Sequence, residues 1–194
     1  MSSERRRLTS ATELRALSHP TRIALLELLD EVGPLTATQA GERLGESPAS
    51  ASFHLRTLAK YGYVEEAEGG KGRQRPWRTV PVANDIPDDE LNAEAKMAAD
   101  ALLQLIRERD LNRLRAWDSA RSLYPKAWRE ASQEMRLVLH LTVEELAALT
   151  AAIEATVQPY IDNARQANQR PDTLPVSFGL HAVPTSRHGQ EDQS

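Results

Sequence analysis

The sequence predicts a mainly α-helical fold with a small β component, of the α+β class. Three observations predict it. Residues 11–60 contain several short helical periods of apolar residues, residues 88–124 contain one long period, and residues 132–184 contain two alternating apolar segments around a further helix. Proline and short polar residues mark the boundaries between these regions, but the third region is too small to fold alone and should pack on the long helix or pair with its copy in a dimer.

Helix start and stop signals divide the first region. A short helix is predicted over residues 12–17, and Ser18 or Thr21 can cap a second helix. Thr36 can cap a third helix, and Ser47 can cap a fourth that has proline in its first helical position. We predict a flexible tail for residues 1–10, whose arginines offer an alternative role as an arm in a DNA minor groove.

The fourth helix has two different faces. Ala51, Leu55 and Leu58 lie on one face at helical spacing, which is typical of a core-facing side. The other face has hydroxyl groups and one arginine but no acidic side chain, so it can approach DNA phosphates closely. An arginine can donate two hydrogen bonds to guanine, a phenylalanine can contact the methyl group of thymine, and hydroxyl groups can form hydrogen bonds with several bases. The predicted base-reading residues are Ser50, Ser52, Phe53, Arg56 and Thr57.

Two short strands are predicted after this helix, at residues 63–67 and 77–80, with a glycine-rich cationic loop between them. Helices followed by such a hairpin form a winged helix-turn-helix, predicted here over residues 11–82. Helix N-termini and loop cations are suited to phosphate groups. The predicted phosphate and wing contacts are Arg22, Thr36, Thr38, Gln39, His54, Lys60, Lys71, Arg73 and Arg75. A packing role for His54, and a solvated loop without DNA contact, are the alternatives.

Two spaced motifs resemble a known family. Residues 14–22 read LRALSHPTR, and residues 52–64 read SFHLRTLAKYGYV. Over about residues 10–82 the chain resembles the arsenic-repressor (ArsR) type of winged-helix transcription regulators. The resemblance implies DNA binding through the fourth helix. It also raises metal sensing, for which such regulators use cysteine, or histidine with carboxylates. The family often has a basic residue where Phe53 stands.

Composition limits the function classes. The chain has no cysteine, which excludes disulfides and thiolate metal sites, and we expect neither metal nor cofactor. No apolar run reaches membrane-spanning length and no secretory segment opens the chain, so a cytoplasmic protein is expected. No catalytic motif is present, which predicts that the protein is not an enzyme. Residues 1–80 have 12 basic and 10 acidic side chains, whereas residues 81–194 have 12 and 18.

The long helix over residues 88–124 has an apolar stripe that requires a cover. A second copy of the chain can supply one, and a two-fold dimer matches a palindromic DNA site. The stripe predicted to form the dimer consists of Leu91, Ala95, Ala98, Leu102, Leu105 and Ile106.

Residues 132–184 predict a β–α–β segment that extends the dimer or senses an effector. Residues 135–141 and 176–182 alternate like half-buried strands, and Thr142 with Glu145 forms a capping box for a helix reaching Gln166. Pro159 should kink or weaken that helix. An apolar effector pocket would use Trp117, Trp128, Tyr160 and Phe178. Residues 185–194 are predicted to be a disordered tail.

Together these patterns predict a homodimeric repressor that binds double-stranded DNA at a palindromic operator. Two alternatives stay open. The chain could be a protein-interaction module that has kept the fold, or a regulator that responds to an unidentified small molecule.

Overall fold

The computed structural model describes residues 6–69, 75–80, 84–166 and 173–185. The chain divides into two compact units, Met1–Ala120 and Arg121–Ser194. None of the helices within these residues is long and apolar enough to cross a membrane.

The first unit begins with four helices and a hairpin. The helices are α1 (Ala11–Leu17), α2 (Pro20–Val32), α3 (Ala37–Leu44) and α4 (Pro48–Lys60). Strands β2 (Val64–Glu66) and β3 (Trp77–Thr79) then pair antiparallel, with Val64 opposite Thr79. The four predicted helices and the predicted hairpin are therefore present.

Local capping explains why the helices begin where they do. Thr36 and Ser47 cap α3 and α4 as predicted, each accepting a hydrogen bond from a backbone N–H three residues later. The cap of α2 differs from the prediction. It is His19, whose Nδ1 accepts from the Thr21 N–H at 3.2 Å, and neither Ser18 nor Thr21 has that role.

The helices of the first unit enclose one apolar core. Leu14, Leu25, Leu55 and Leu58 are fully buried, and Tyr63 and Val64 join them where the hairpin begins. The apolar face of α4 is therefore in the core, and its opposite face is left for other contacts.

The prediction of a flexible tail over residues 1–10 is wrong for residues 6–10. Strand β1 (Arg6–Arg7) pairs parallel with β4 (Asn84–Asp85), and the Leu8 side chain is buried in the core. Arg6 forms an ion pair with Glu13 at 2.6 Å and donates to the carbonyl of Tyr61. These contacts occupy Arg6, so it is not a free arm for a minor groove.

Helix α5 (Ala93–Ala120) follows a 3₁₀ turn at Asp88–Glu90 and ends before another at Arg121–Leu123. Most of its predicted dimer stripe is wrong. Ala95, Ala98 and Leu102 are buried in the core of the same unit, and Leu91 packs against that core. The stripe is covered within the chain because α1 lies along it.

Ion pairs also attach helix α5 to α2. Glu27 accepts from Arg109 Nε at 2.7 Å and forms an ion pair with Arg113 at 2.5 Å. The Ser18 hydroxyl donates to the Leu14 carbonyl at 2.7 Å and also lies 3.2 Å from the Ala98 carbonyl oxygen of α5. Beyond these contacts, Leu105 is half-buried and Ile106 is 37% exposed.

The second unit contains α6 (Lys126–Ala131) and α7 (Val143–Gln166). The predicted capping box at Thr142 is present, and Pro159 lies inside α7. The two predicted strands are wrong for this chain alone. Residues 133–142 and 173–184 have no regular secondary structure, because no described segment pairs with them.

Candidate nucleic-acid interface

A close contact between α3 and α4 positions the exposed face of α4. Gly41 is buried in α3, and a Cβ atom there would lie 2.8 Å from the backbone oxygen of Glu46. Only a glycine allows the turn between the helices to approach this closely. Gly45 ends α3 in the left-handed conformation, at φ +69°.

The outward face of α4 carries all five predicted base-reading residues. Phe53 is 64% exposed and Arg56 is exposed, while the serines and Thr57 are partly exposed. Thr57 donates its hydroxyl hydrogen to the carbonyl of Phe53 at 2.9 Å, which leaves its oxygen as an acceptor. Lys60 lies at the end of the helix, with Nζ 5.4 Å from the centre of the Tyr61 ring.

A concave surface joins α4 to the start of α3 and to the hairpin. It brings together five of the predicted residues, from three elements that are distant in sequence. The residues lining it are Thr36, Ala37, Thr38, Pro48, Ser52, Arg56, Glu66, Arg75 and Trp77. Ser50, Phe53, Thr57, Gln39 and Lys60 are not among them.

The capping box at the start of α3 changes the roles predicted for two residues. Gln39 Oε1 accepts from the Thr36 N–H at 2.9 Å and from its hydroxyl at 3.1 Å. The Thr36 hydroxyl in turn accepts from the Gln39 N–H at 3.3 Å. These side chains therefore complete the helix end, which leaves the Gln39 amide nitrogen and Thr38 as its outward polar groups.

The hairpin is fixed to the α2–α3 connection by a pair of main-chain hydrogen bonds. The Trp77 N–H donates to the Leu35 carbonyl at 2.7 Å, and the Leu35 N–H donates back at 3.1 Å. Arg75 is held by Glu66 at 3.0 Å. Lys71 and Arg73 lie outside the described residues.

Arg22 and His54 do not lie where phosphate contact was predicted. Arg22 donates to the carbonyls of Ala16 and Arg15 and so completes the end of α1. His54 is 8% exposed, and its ring centre lies 4.5 Å from that of His19. The alternative of a packing role therefore describes His54 better.

Burial lowers the pKa of both histidines. For His54, the neighbouring His19 and Arg22 lower the pKa further, because a second positive charge at short range is unfavourable. Burial is also the largest cause for His19, followed by Arg22. Both rings therefore release a proton more readily than a solvated histidine does.

Sequence reasoning missed Glu66 and Trp77 as members of this surface. The alternating residues around Glu66 and Trp77 predict two strands, but they do not show which side of the hairpin faces α3. The register supplies that information, because it places Glu66 opposite Trp77.

A metal site and an effector pocket have less support than a DNA-binding surface. Among the described residues, no group of three or more histidine or acidic side chains could hold a metal ion. Of the aromatic residues predicted to line an effector pocket, Tyr160 is 72% and Phe178 is 68% exposed.

Comparison with known proteins supports the fold of this region. Residues 17–66 match a family described as a helix-turn-helix domain. The chain carries a helix-turn-helix domain. This match covers α2, α3 and α4, the elements that form most of the concave surface, and such a domain indicates DNA as the partner. No curated protein matches the chain.

Proposed function

We propose that this protein is a cytoplasmic, sequence-specific transcription regulator of the arsenic-repressor type. It binds a palindromic operator as a homodimer and represses transcription there. The observation that carries the proposal is the concave surface, where the start of α3, the outward face of α4 and the hairpin meet. The proposal assigns no catalytic activity and no cofactor.

The elements have separate roles in this proposal. Helix α4 enters the major groove, and Arg56 reads a guanine because its fork can donate to two acceptors. Arg56 is exposed and forms no ion pair with the described residues, so its donors are available. The start of α3 and the hairpin, acting as the wing, bind phosphates on either side.

Selection of bound duplexes from a random pool tests this function, because it returns the half-site and its spacing together. Arg56→Ala should then reduce affinity by about 1–3 kcal/mol, with the loss concentrated at one base position. Arg107→Ala removes the same charge from the exposed side of α5 and serves as the matched control. Equal binding of the selected site by wild type and Arg56→Ala would show that α4 does not read DNA as proposed.

The interaction-module alternative gives a different result. It predicts no duplex binding even at low salt, whereas a DNA-binding protein loses affinity steeply as salt rises. Repression is tested separately in purified transcription, where the selected operator placed across a promoter should lower transcript yield in the presence of the protein.

A further inference from the structure

The second unit leaves many of its apolar side chains exposed. Among its described residues none is buried, and the exposed large apolar side chains range from 39% at Leu149 to 84% at Leu123, whereas Trp128, Leu146, Ile153 and Val157 are half-buried. Monomeric soluble proteins rarely expose apolar patches of this extent.

Two extended segments contain most of this surface. Met135, Leu137, Leu139 and Leu141 are 42–67% exposed and alternate with Arg136, Val138 and His140. Residues 174–184 repeat the pattern with Val176, Phe178 and Leu180. No backbone hydrogen bond joins residues 133–141 or 174–184 to another described segment. Both segments therefore have the alternating pattern of β-strands but no neighbouring strand. Covering them would bury their backbone groups, which then need hydrogen-bond partners.

We propose that a second copy of this chain covers the second unit by pairing these segments across a two-fold axis. The proposal rests on the homodimer of the proposed function and names the surface that forms it. Helix α5 is a poor candidate for that role, because Ala95, Ala98 and Leu102 are already buried in their own unit.

The order of residues in the first segment suits a copy of itself. Antiparallel pairing centred on Val138 places Met135 opposite Leu141 and Leu137 opposite Leu139. All four apolar residues then lie on one side of the sheet, because side chains alternate along a strand. A two-fold interface requires this property, since each residue meets its counterpart in reciprocal pairs.

Charge and size also favour a second copy. Residues 174–184 contain no Asp, Glu, Lys or Arg, and residues 135–141 contain only Arg136, so pairing buries few charges. Glu144, Glu145 and Glu154 make α7 acidic, which disfavours DNA or an anionic membrane as the occupant. Residues 135–141 and 174–184 supply 18 residues per copy before the apolar face of α7 is added, and stable interfaces use roughly 20–30.

The first test measures the mass of the full chain by light scattering. Wild type should have twice the chain mass of 21.6 kDa. The double variant Leu137→Lys/Leu139→Lys should have the mass of one chain. Leu105→Lys/Ile106→Lys, on the part of the α5 stripe that is not fully buried, is the matched control and should remain a dimer. A monomeric wild type, or a dimeric Leu137→Lys/Leu139→Lys variant, would overturn the proposal.

The second test avoids disruptive substitutions. The chain has no cysteine, so a single introduced cysteine can be oxidised only with its counterpart in another copy. Val138→Cys should form a disulfide-linked dimer, since opposed residues lie about 4.5–5.5 Å apart between Cα atoms. His140→Cys should not, because the two copies of residue 140 would be about 14 Å apart. Absence of the Val138→Cys disulfide, or equal linking by both variants, contradicts the pairing.

Duplex binding separates this inference from the proposed function. A cross-linked Val138→Cys dimer that binds no duplex would contradict the proposed function alone. A Leu137→Lys/Leu139→Lys protein that is still dimeric and binds the operator would contradict this inference alone.

Discussion

The two units of the chain use similar apolar patterns with different results. In Met1–Ala120, the apolar faces of the helices meet each other, and leucines such as Leu14 and Leu55 have no exposed surface. In Arg121–Ser194, the described residues include an amphipathic helix and two alternating segments, yet Leu137 and Phe178 are more than two-thirds exposed. An apolar pattern thus indicates that a surface will be covered, but not what covers it.

The largest expected difference between the two units is in stability, and it follows from the tight backbone contact at Gly41. Gly41→Ala places a Cβ atom 2.8 Å from the Glu46 oxygen, so α3 and the turn must separate. We expect the free energy of unfolding of the first unit to fall by about 1–3 kcal/mol. Urea unfolding followed by hydrogen exchange of residues 6–120 measures it.

Gly179→Ala is the matched control in the second unit, because nothing in the described part of its own chain lies within 4 Å of the added methyl group. Unchanged exchange in residues 6–120 of Gly41→Ala would show that α3 and α4 tolerate more separation than this contact implies.

A smaller effect is expected from pH. Burial lowers the pKa of His19 and His54 in the folded chain, so the unfolded chain binds protons more readily. Stability from this pair is complete above the unfolded pKa of about 6.5 and is lost as pH falls from there toward the folded pKa. Unfolding of wild type and His54→Gln should therefore differ in slope between neutral and mildly acidic pH.

His140→Gln removes one histidine from the second unit and serves as the control for that slope. If wild type and His54→Gln share the same pH dependence, the lowered pKa of His54 does not contribute to the change of stability with pH.

The smallest effect concerns charge at the candidate interface. Glu66 pairs with Arg75 on the concave surface, so Glu66→Gln removes a negative charge and frees the arginine. Because the pair is exposed, we expect duplex affinity to rise only about two- to fivefold. Titration with labelled duplex at low and moderate salt measures it.

Glu130→Gln, which releases Lys126 in the second unit, should leave duplex affinity unchanged. Equal gains from the two variants would indicate a general charge effect rather than a contact at this surface.

Local signals in the sequence predicted much of the first unit. The caps at Thr36 and Ser47 and the buried face of α4 depend on neighbouring residues, and the structure contains them. The β1–β4 pair was missed, because Leu8 is one apolar residue in a polar stretch and its partner Asp85 lies 77 positions further along the chain.

Only part of the candidate site was predicted, because some of its side chains are placed by contacts with other elements of the fold. Arg56 and Ser52 follow from helical spacing within α4. The role of Arg22 depends on where α1 ends, since its guanidinium binds carbonyls there. The strands predicted around α7 require hydrogen-bond partners, and a single sequence does not reveal which segment supplies them.

The attachment of α5 to the helix-turn-helix has a consequence for the spacing between operator half-sites. Glu27, Arg109 and Arg113 fix this helix to the helix-turn-helix, and its 28 residues extend about 42 Å. Within Met1–Ala120, the helix-turn-helix and α5 therefore form one rigid body. An added base pair between half-sites moves one half-site along and around the duplex. A regulator that distinguishes operators by their spacing must resist that movement, and in this unit the ion pairs of α5 supply the stiffness.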